Sequence, residues 1–368
     1  MTSFHCTNCH RDYPGEGVPH RCPTCGGNFG INGDLVFDEN QIDTDLPGMW
    51  QYRHTFELPP DAPVLSLGEG STPLVSAEVE DVEVFFKLEY LNPTGSFKDR
   101  ISAPELSFLL SRGVGAAVED SSGNAGASFA AYAARAGIKA RVFAPSYASG
   151  PKLKQIEVYG AELVSIDGPR SNAAEAVLKD VEENDTVYAS HAYLPFGLPG
   201  IATIAYELVE QLGQVPGAVI APVGHGSLLL GIAKGFTALQ QAGIIDEFPK
   251  LIGVQASACA PLWALQTMGP VGLSVVVEGE TLAEGVRIRR PINGDALIQI
   301  MNENSGLFVA VDEEHILSGR QNLASLGMYV EPTSAIVWNG LQQVKHIINQ
   351  LDGPTVVILT GSGLKSPV

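Results

Sequence analysis

The feature that most constrains the fold of this chain is a repeated alternation of strand-like and helix-like segments, which begins at about residue 84. The strand-like segments are short apolar runs, and intervening segments such as 127–136 and 201–212 have the spacing of amphipathic helices. Because parallel strands need long crossover connections, this order predicts an α/β protein with parallel sheets covered by helices on both faces. The predicted strands are 84–89, 116–118, 140–144, 162–166, 186–189, 217–221, 251–254 and 355–359.

The length and charge of the chain narrow the range of its functions. Its 368 residues suffice for two domains of ordinary size and a small appendage. The 41 acidic and 22 basic residues give a net charge of −19, which opposes binding to nucleic acid or to an anionic membrane surface. No apolar run is long enough to cross a bilayer, and the first residues lack the features of a signal peptide. We therefore expect a soluble, cytoplasmic protein with a small-molecule substrate.

The first 25 residues contain two C-x2-C pairs, separated by twelve residues. Each pair can present two thiolates to one tetrahedral Zn(II) ion, and Gly26-Gly27 permits the tight turn of a zinc knuckle. Two disulfides are the alternative, which a reducing compartment disfavours. We predict a zinc ribbon over residues 1–32 that is stabilised by its structural metal. The predicted ligands are Cys6, Cys9, Cys22 and Cys25.

A single lysine, Lys98, stands at the start of a predicted helix, just beyond a turn that contains Asn92, Pro93 and Gly95. An ammonium group gains nothing from the positive end of a helix dipole. A desolvated amine, by contrast, has a lowered pKa and can condense with a carbonyl group. A solvated surface lysine is the alternative, and the rest of the sequence argues against it.

Three loops, 121–126, 222–228 and 359–365, each follow a predicted strand and are rich in small and polar residues. Where such a loop opens a helix, its backbone N–H groups suit a carboxylate or a phosphate. Each loop alone could be an ordinary turn, and none has the spacing of a dinucleotide fingerprint. Together with Lys98, they indicate an enzyme that binds anionic groups.

These motifs, in this order, resemble the fold-type II pyridoxal-phosphate (PLP) enzymes, the tryptophan-synthase-β-like superfamily, and within it the threonine synthases. The resemblance covers roughly residues 65–368, and some members carry an N-terminal zinc ribbon. It implies two three-layer parallel-sheet domains with the cofactor in the cleft, and a homodimer. The smaller domain is expected over 83–189 and the larger, PLP-binding domain over 33–82 and 190–368. The matching segments are 68–74, 87–89, 122–124, 284–288, 331–335 and 359–365.

The resemblance also assigns roles to individual residues. Lys98 would bind the cofactor and shuttle protons, and Asn124 would stand beside the 3-oxygen of the cofactor ring. Thr360 would bond the ring nitrogen, and a hydroxyl at that place favours elimination and replacement over transamination. The substrate α-carboxylate would bind to Ser122, Gly123, Asn124 and Ala125. The cofactor phosphate would bind to Gly224, His225, Gly226, Ser227 and Leu228.

The implied reaction converts O-phosphohomoserine and water to threonine and phosphate. Many threonine synthases hold the leaving phosphate with an Asn-Pro-x-Arg-x-Glu-Gly-Gln-Lys-Thr-type run, but residues 190–203 of this chain lack the arginine and the Gln-Lys pair. The candidates for that role are Lys152, Lys154, Arg287 and Ser190, while His191 and His225 could either pack or face the substrate. One alternative function is β-replacement or β-elimination on O-activated serine, serine or threonine, as in cysteate synthase or a dehydratase. A second alternative is a zinc-ribbon binding protein that has the scaffold of a degenerate enzyme.

Overall fold

The computed structural model describes residues 4–31, 33–184 and 186–366. The chain forms two compact units. Unit 1 comprises the residues up to Gly70 together with Asn92–Gly200, and unit 2 comprises Ser71–Leu91 and the residues from Ile201 onward. The domain boundaries that we expected from the resemblance stay a prediction.

Strands and helices alternate through most of the described chain, and short 3-10 turns connect several of them. The strands are β1 (Phe4–Cys6), β2 (Phe29–Ile31), β3 (Leu74–Val79), β4 (Val82–Lys87), β5 (Ala116–Glu119), β6 (Lys139–Pro145), β7 (Glu162–Ile166), β8 (Val187–Tyr188), β9 (Ala218–Pro222), β10 (Lys250–Ala256), β11 (Leu307–Val311) and β12 (Thr355–Ile358). The α-helices are α1 (Asp99–Ser111), α2 (Asn124–Ala136), α3 (Pro151–Val158), α4 (Arg170–Asn184), α5 (Leu198–Leu212), α6 (Ser227–Gln241), α7 (Pro261–Met268), α8 (Gly294–Glu303), α9 (Glu314–Ser325) and α10 (Pro332–Ile348).

Unit 1 contains a four-stranded parallel sheet in the order β7-β6-β5-β8. Its strands and helices share a buried apolar cluster that includes Val118, Phe143 and Val177. Because β5 pairs with β8 in parallel, the residues that follow these two strands emerge at the same edge of the sheet. Ligands of α/β proteins bind at this kind of edge.

The N-terminal part of unit 1 is an antiparallel pair, β1 with β2, in which Cys6 faces Phe29. Aromatic rings attach this ribbon to the rest of the unit. The ring centroid of Phe196 lies 5.0 Å from that of Phe4 and 4.9 Å from that of Tyr13, and it stacks on Phe108 of α1 at 3.6 Å. The ribbon therefore packs on the segment that follows β8.

Unit 2 contains a six-stranded sheet in the order β11-β10-β9-β12-β4-β3. All its pairs are parallel except β3 with β4 at one edge. The central strands β9 and β12 are buried throughout, as expected for a parallel sheet that is covered on both faces. The predicted α/β class with parallel sheets is confirmed.

The predicted elements coincide with the observed ones closely but not everywhere. The strand predicted at 162–166 is β7, and the helix predicted at 127–136 begins three residues earlier, at Asn124. Strands β3 and β11 were not predicted, and neither were the two short strands β1 and β2 inside the predicted ribbon. Among the described residues, no helix is long and apolar enough to span a membrane.

Candidate active site

Lys98 lies in unit 1 at the cap position immediately before α1, as predicted. The preceding turn is closed by a 2.8 Å hydrogen bond from the N–H of Gly95 to the carbonyl of Asn92, and Gly95 has a φ of +85°, which glycine adopts without strain. The Lys98 side chain is half-buried, with Nζ 4.9 Å from the ring centroid of Phe97. The turn thus delivers a partly desolvated amine to the start of the helix.

The residue after the lysine, Asp99, holds this turn in place. Its buried carboxylate accepts hydrogen bonds from the N–H of Thr94 at 2.7 Å, the hydroxyl of Thr94 at 2.6 Å and the hydroxyl of Ser128 at 2.6 Å. Charge-assisted bonds of this kind are stronger than neutral ones. Asp99 therefore fixes the backbone on both sides of Lys98, a role that was not predicted.

Two further buried carboxyl groups, Glu105 and Glu119, act electrostatically on Lys98. Burial raises the pKa of Glu105 to about 8, and the Lys98 ammonium opposes this shift. Burial also raises the pKa of Glu119 well above its ordinary value, with Asp120 adding to the effect and Lys98 again opposing it. Two protonatable carboxyl groups therefore lie within electrostatic range of the lysine, and no local motif in the sequence pointed to them.

The predicted carboxylate-binding residues Ser122, Gly123, Asn124 and Ala125 lie together at the N-terminus of α2, also in unit 1. No side chain caps this end of α2 within the described part of the chain, so its first N–H groups suit an anion. A Cβ on Gly126 would lie 1.8 Å from the carbonyl oxygen of Ser121, so this close turn requires glycine. The arrangement can hold a carboxylate.

The predicted phosphate loop, Gly224 to Leu228, lies in unit 2 between the end of β9 and the start of α6. Gly226 has a φ of +93°, and a Cβ on Gly224 would lie 2.6 Å from the carbonyl oxygen of Gly285. Both positions therefore need glycine, and the backbone N–H groups at the start of α6 are suited to an anionic group.

Asn293 supports the phosphate loop in unit 2. Its side-chain amide donates to the hydroxyl of Ser227 at 2.9 Å, and its backbone N–H donates to the carbonyl of His225 at 3.0 Å. Asn293 was not predicted, because nothing in its local sequence marks it as a partner of the loop.

Thr360 follows β12 in unit 2, and its backbone N–H donates to the hydroxyl of Ser334 at 2.9 Å. Thr360 is buried, and its Oγ1 has no hydrogen-bond partner among the described residues. A buried hydroxyl without a partner is costly, so it is suited to bond a ligand atom such as a ring nitrogen. The residues present thus fit an aromatic cofactor with a phosphate group.

The four predicted cysteine ligands come together in the ribbon of unit 1, with sulfur atoms that all lie within 4.8 Å of one another. Two pairs of sulfurs lie closer: Cys6 and Cys25 are 3.5 Å apart, and Cys9 and Cys22 are 3.7 Å apart. Metal–sulfur bonds of about 2.3 Å in a tetrahedron place the sulfurs about 3.8 Å apart. The backbone N–H of Gly27 and then the Cys6 thiol lower the pKa of Cys25 to about 6. The cluster is therefore suited to hold one metal ion.

The comparison with protein families identifies the class of protein. The family model described as "Pyridoxal-phosphate dependent enzyme" matches residues 65–361. The chain therefore belongs to the pyridoxal-phosphate-dependent enzyme family. Among curated relatives, it is 33% identical to the threonine synthase of Methanocaldococcus jannaschii over 98% of this chain and 92% of the relative. It is 37% identical to the threonine synthase of Synechocystis sp. over 86% and 82% of the two chains.

Solved structures show the same fold. The T.th. threonine deaminase is 27% identical, with a TM-score of 0.65 over 79% of this chain and 92% of that one. The processed form of threonine deaminase isoform 2 from Solanum lycopersicum has a TM-score of 0.70 over 95% and 92% of the two chains, and its 22% identity shows the fold alone. The predicted PLP fold-type II class is confirmed.

Proposed function

We propose that this chain catalyses the threonine synthase reaction, in which O-phosphohomoserine and water give threonine and phosphate. The observation that carries the proposal is the match to the M. jannaschii threonine synthase, which extends over 98% of this chain and so includes most of the cysteine ribbon as well as the enzyme body. The surroundings of Lys98 support it, because the Asp99 carboxylate holds the turn that presents this half-buried amine at the start of α1.

PLP, when bound, supplies an electron sink that stabilises negative charge on substrate carbon. The N–H groups of Gly224 to Leu228 and the Ser227 hydroxyl would hold its phosphate, and the Thr360 hydroxyl would bond its ring nitrogen. Asn124 would stand beside the ring's 3-oxygen, and the Lys98 amine would bind the cofactor covalently. In its unit, each of these residues lies on a loop that follows a parallel strand or begins a helix.

The protein's own groups would then direct the chemistry. The N-terminus of α2, with Ser122 to Ala125, holds the substrate α-carboxylate and so orients the side chain. Lys98 Nζ takes the proton of Cα, which balances the phosphate that leaves Cγ as hydrogen phosphate, and then takes a proton from Cβ, which it returns to Cγ. Water adds its hydroxyl at Cβ, and its other proton returns through Nζ to Cα. A single positioned amine can act as base in one step and as acid in the next, because it carries the proton between them.

We propose that the metal of the ribbon is zinc and that its role is structural, because four thiolates fill a tetrahedral site and leave no open position for chemistry. We also propose, on the expectation for the family, that the enzyme works as a homodimer in the cytoplasm. Metal analysis of the purified protein and its mass in solution test these two points.

The rival function is β-elimination on serine or threonine. The fold similarity to threonine deaminase favours it, as does the largely apolar run at 190–203 where a cation would bind the leaving phosphate. Both functions use Lys98 and the same loops. They differ in the product, since elimination from serine or threonine gives a keto acid and ammonia.

The experiment supplies purified holoenzyme with O-phosphohomoserine and, separately, with serine and threonine. We expect phosphate and threonine in equal amounts from the first compound and little keto acid from the others. Lys98→Ala is expected to lose both turnover and the visible absorbance of lysine-bound cofactor, whereas Lys152→Ala, a control on α3, retains the absorbance. Keto acid from serine or threonine without threonine synthesis would favour the rival function.

A further inference from the structure

A pair of ionisable groups in unit 1, Glu119 and His191, has no role in the reaction steps proposed above. Glu119 is the last residue of β5, and His191 comes shortly after β8. The imidazole Nδ1 lies 2.6 Å from Glu119 Oε1. Because β5 and β8 are neighbours and parallel, the pair stands at the sheet edge from which the loop with Ser122 to Ala125 emerges.

The two partners differ in exposure. The side chain of Glu119 is 1% exposed and that of His191 is 14% exposed, so a ligand at this edge would meet the imidazole first. The second carboxyl oxygen, Oε2, is buried and has no hydrogen-bond partner among the described residues. Burial of an imidazole–carboxyl pair is costly and seldom stabilises a fold more than apolar packing does. These features favour a functional role over a packing role.

We propose that His191, held by Glu119, recognises the side-chain phosphate of the substrate and so replaces the missing cation of the 190–203 run. This inference rests on the proposed function. An amino acid whose α-carboxylate lies on the β5–α2 loop can direct its side chain toward β8, since neighbouring strands are only about 4.8 Å apart. An imidazole bonded through Nδ1 presents Nε2 on its opposite side.

The Glu119–His191 pair can bind a phosphate dianion without gaining or losing a proton. Burial raises the pKa of Glu119, so the acid form can donate its proton to Nδ1 and set the Nε2–H tautomer of His191. When a dianion accepts a bond from Nε2–H, the shared proton moves from the Glu119 oxygen to Nδ1. The result is an imidazolium between a carboxylate and a phosphate, which is a charge-assisted arrangement.

The other predicted candidates in unit 1 are less suited to this role. Lys154 is exposed on α3, so its ammonium is hydrated, and Ser190 is buried but neutral. Lys152 is half-buried near the start of α3 and is the strongest rival. It therefore serves as the matched control.

The experiment measures apparent dissociation constants of the holoenzyme for O-phosphohomoserine and for homoserine, from the change in cofactor absorbance on binding. Their ratio is the selectivity for the phosphate. A hydrogen bond to a charged group is worth roughly a 10- to 100-fold change in affinity. We expect His191→Gln to reduce the selectivity ratio by about 10- to 100-fold, with little change in the affinity for homoserine. Glu119→Gln should reduce the ratio by a smaller factor, and Lys152→Gln should leave the ratio as in the wild type.

An unchanged ratio in His191→Gln would overturn the inference, as would a wild-type enzyme without preference for the phosphorylated compound or a loss confined to Lys152→Gln. Threonine release is assayed separately. Selective, His191-dependent binding without threonine would support the inference while refuting the proposed function. If His191→Gln does not fold, carbethoxylation of His191 in the wild type decides the question: O-phosphohomoserine should protect the imidazole more than homoserine does, and equal protection would refute the inference.

Discussion

The hydrogen bonds that the Asp99 carboxylate accepts from Thr94 and Ser128, which we call the Asp99 clamp, allow a prediction of how much this carboxylate stabilises the fold. In Asp99→Asn, the amide oxygen can still accept from the hydroxyls of Thr94 and Ser128, which both bond Oδ1 at 2.6 Å. The amide nitrogen, however, would replace Oδ2 and face the Thr94 N–H, which now donates at 2.7 Å. The bond from the Thr94 N–H is lost, because two N–H donors then face each other, and the two hydroxyl bonds no longer end on a charged oxygen. We therefore expect a loss of about 3 kcal/mol in the free energy of unfolding.

The free energy of unfolding is measured by denaturant unfolding of the holoenzyme, and the absorbance of lysine-bound cofactor is recorded in the same samples. Thr94→Val is the matched control, because it removes only the hydroxyl bond, and we expect a cost of about 1 kcal/mol. A small displacement of Lys98 should also lower the turnover of Asp99→Asn, by up to about 100-fold. An Asp99→Asn variant within about 0.5 kcal/mol of the wild type would refute the clamp, since surface substitutions have effects of that size.

Three further predictions concern buried charges and the ribbon. The Lys87 ammonium lies 2.6 Å from the Glu207 carboxylate, and both groups are buried. Glu207→Leu should therefore destabilise unit 2 by about 3–5 kcal/mol in denaturant unfolding, because it leaves a buried charge without its counter-charge. A double variant that also carries Lys87→Met should recover much of the lost stability. Glu105, with its pKa raised to about 8, holds a proton in the fold that the unfolded chain releases above about pH 4.5. Stability should therefore fall as the pH rises from about 5 to 8, by up to about 1.4 kcal/mol per pH unit, and a Glu105→Gln variant that keeps the wild-type slope would contradict this. Removal of the ribbon metal by a chelator, or Cys9→Ser, should lower the melting temperature of the holoenzyme, because Phe4 and Tyr13 of the ribbon pack against Phe196. An unchanged melting curve after verified metal loss would show that the ribbon does not stabilise the rest of unit 1.

Much of the fold follows from local sequence signals. Turn residues placed Lys98 at the start of α1, and the small-residue loops preceded α2 and α6 as predicted. Strand β3 escaped prediction because its alternation of apolar with polar residues such as Ser76 and Glu78 belongs to an antiparallel edge strand rather than to a buried parallel one.

The parts of the site that were not predicted depend on contacts between distant residues. Asn293 reaches Ser227 from 66 positions away, and His191 reaches Glu119 from 72 positions away. The carboxyl groups of Glu105 and Glu119 become notable only through burial, which their local sequence does not reveal. A sequence pattern locates loops and helix starts, whereas pairings of this kind depend on how the strands are ordered in the sheet.

The proposed threonine synthase activity is best tested by a product assay on purified, cofactor-loaded enzyme with O-phosphohomoserine as the only amino acid supplied. We expect phosphate and threonine in a one-to-one ratio, and loss of both products in Lys98→Ala. An enzyme that has the visible absorbance of lysine-bound cofactor yet releases neither product would refute the proposed activity.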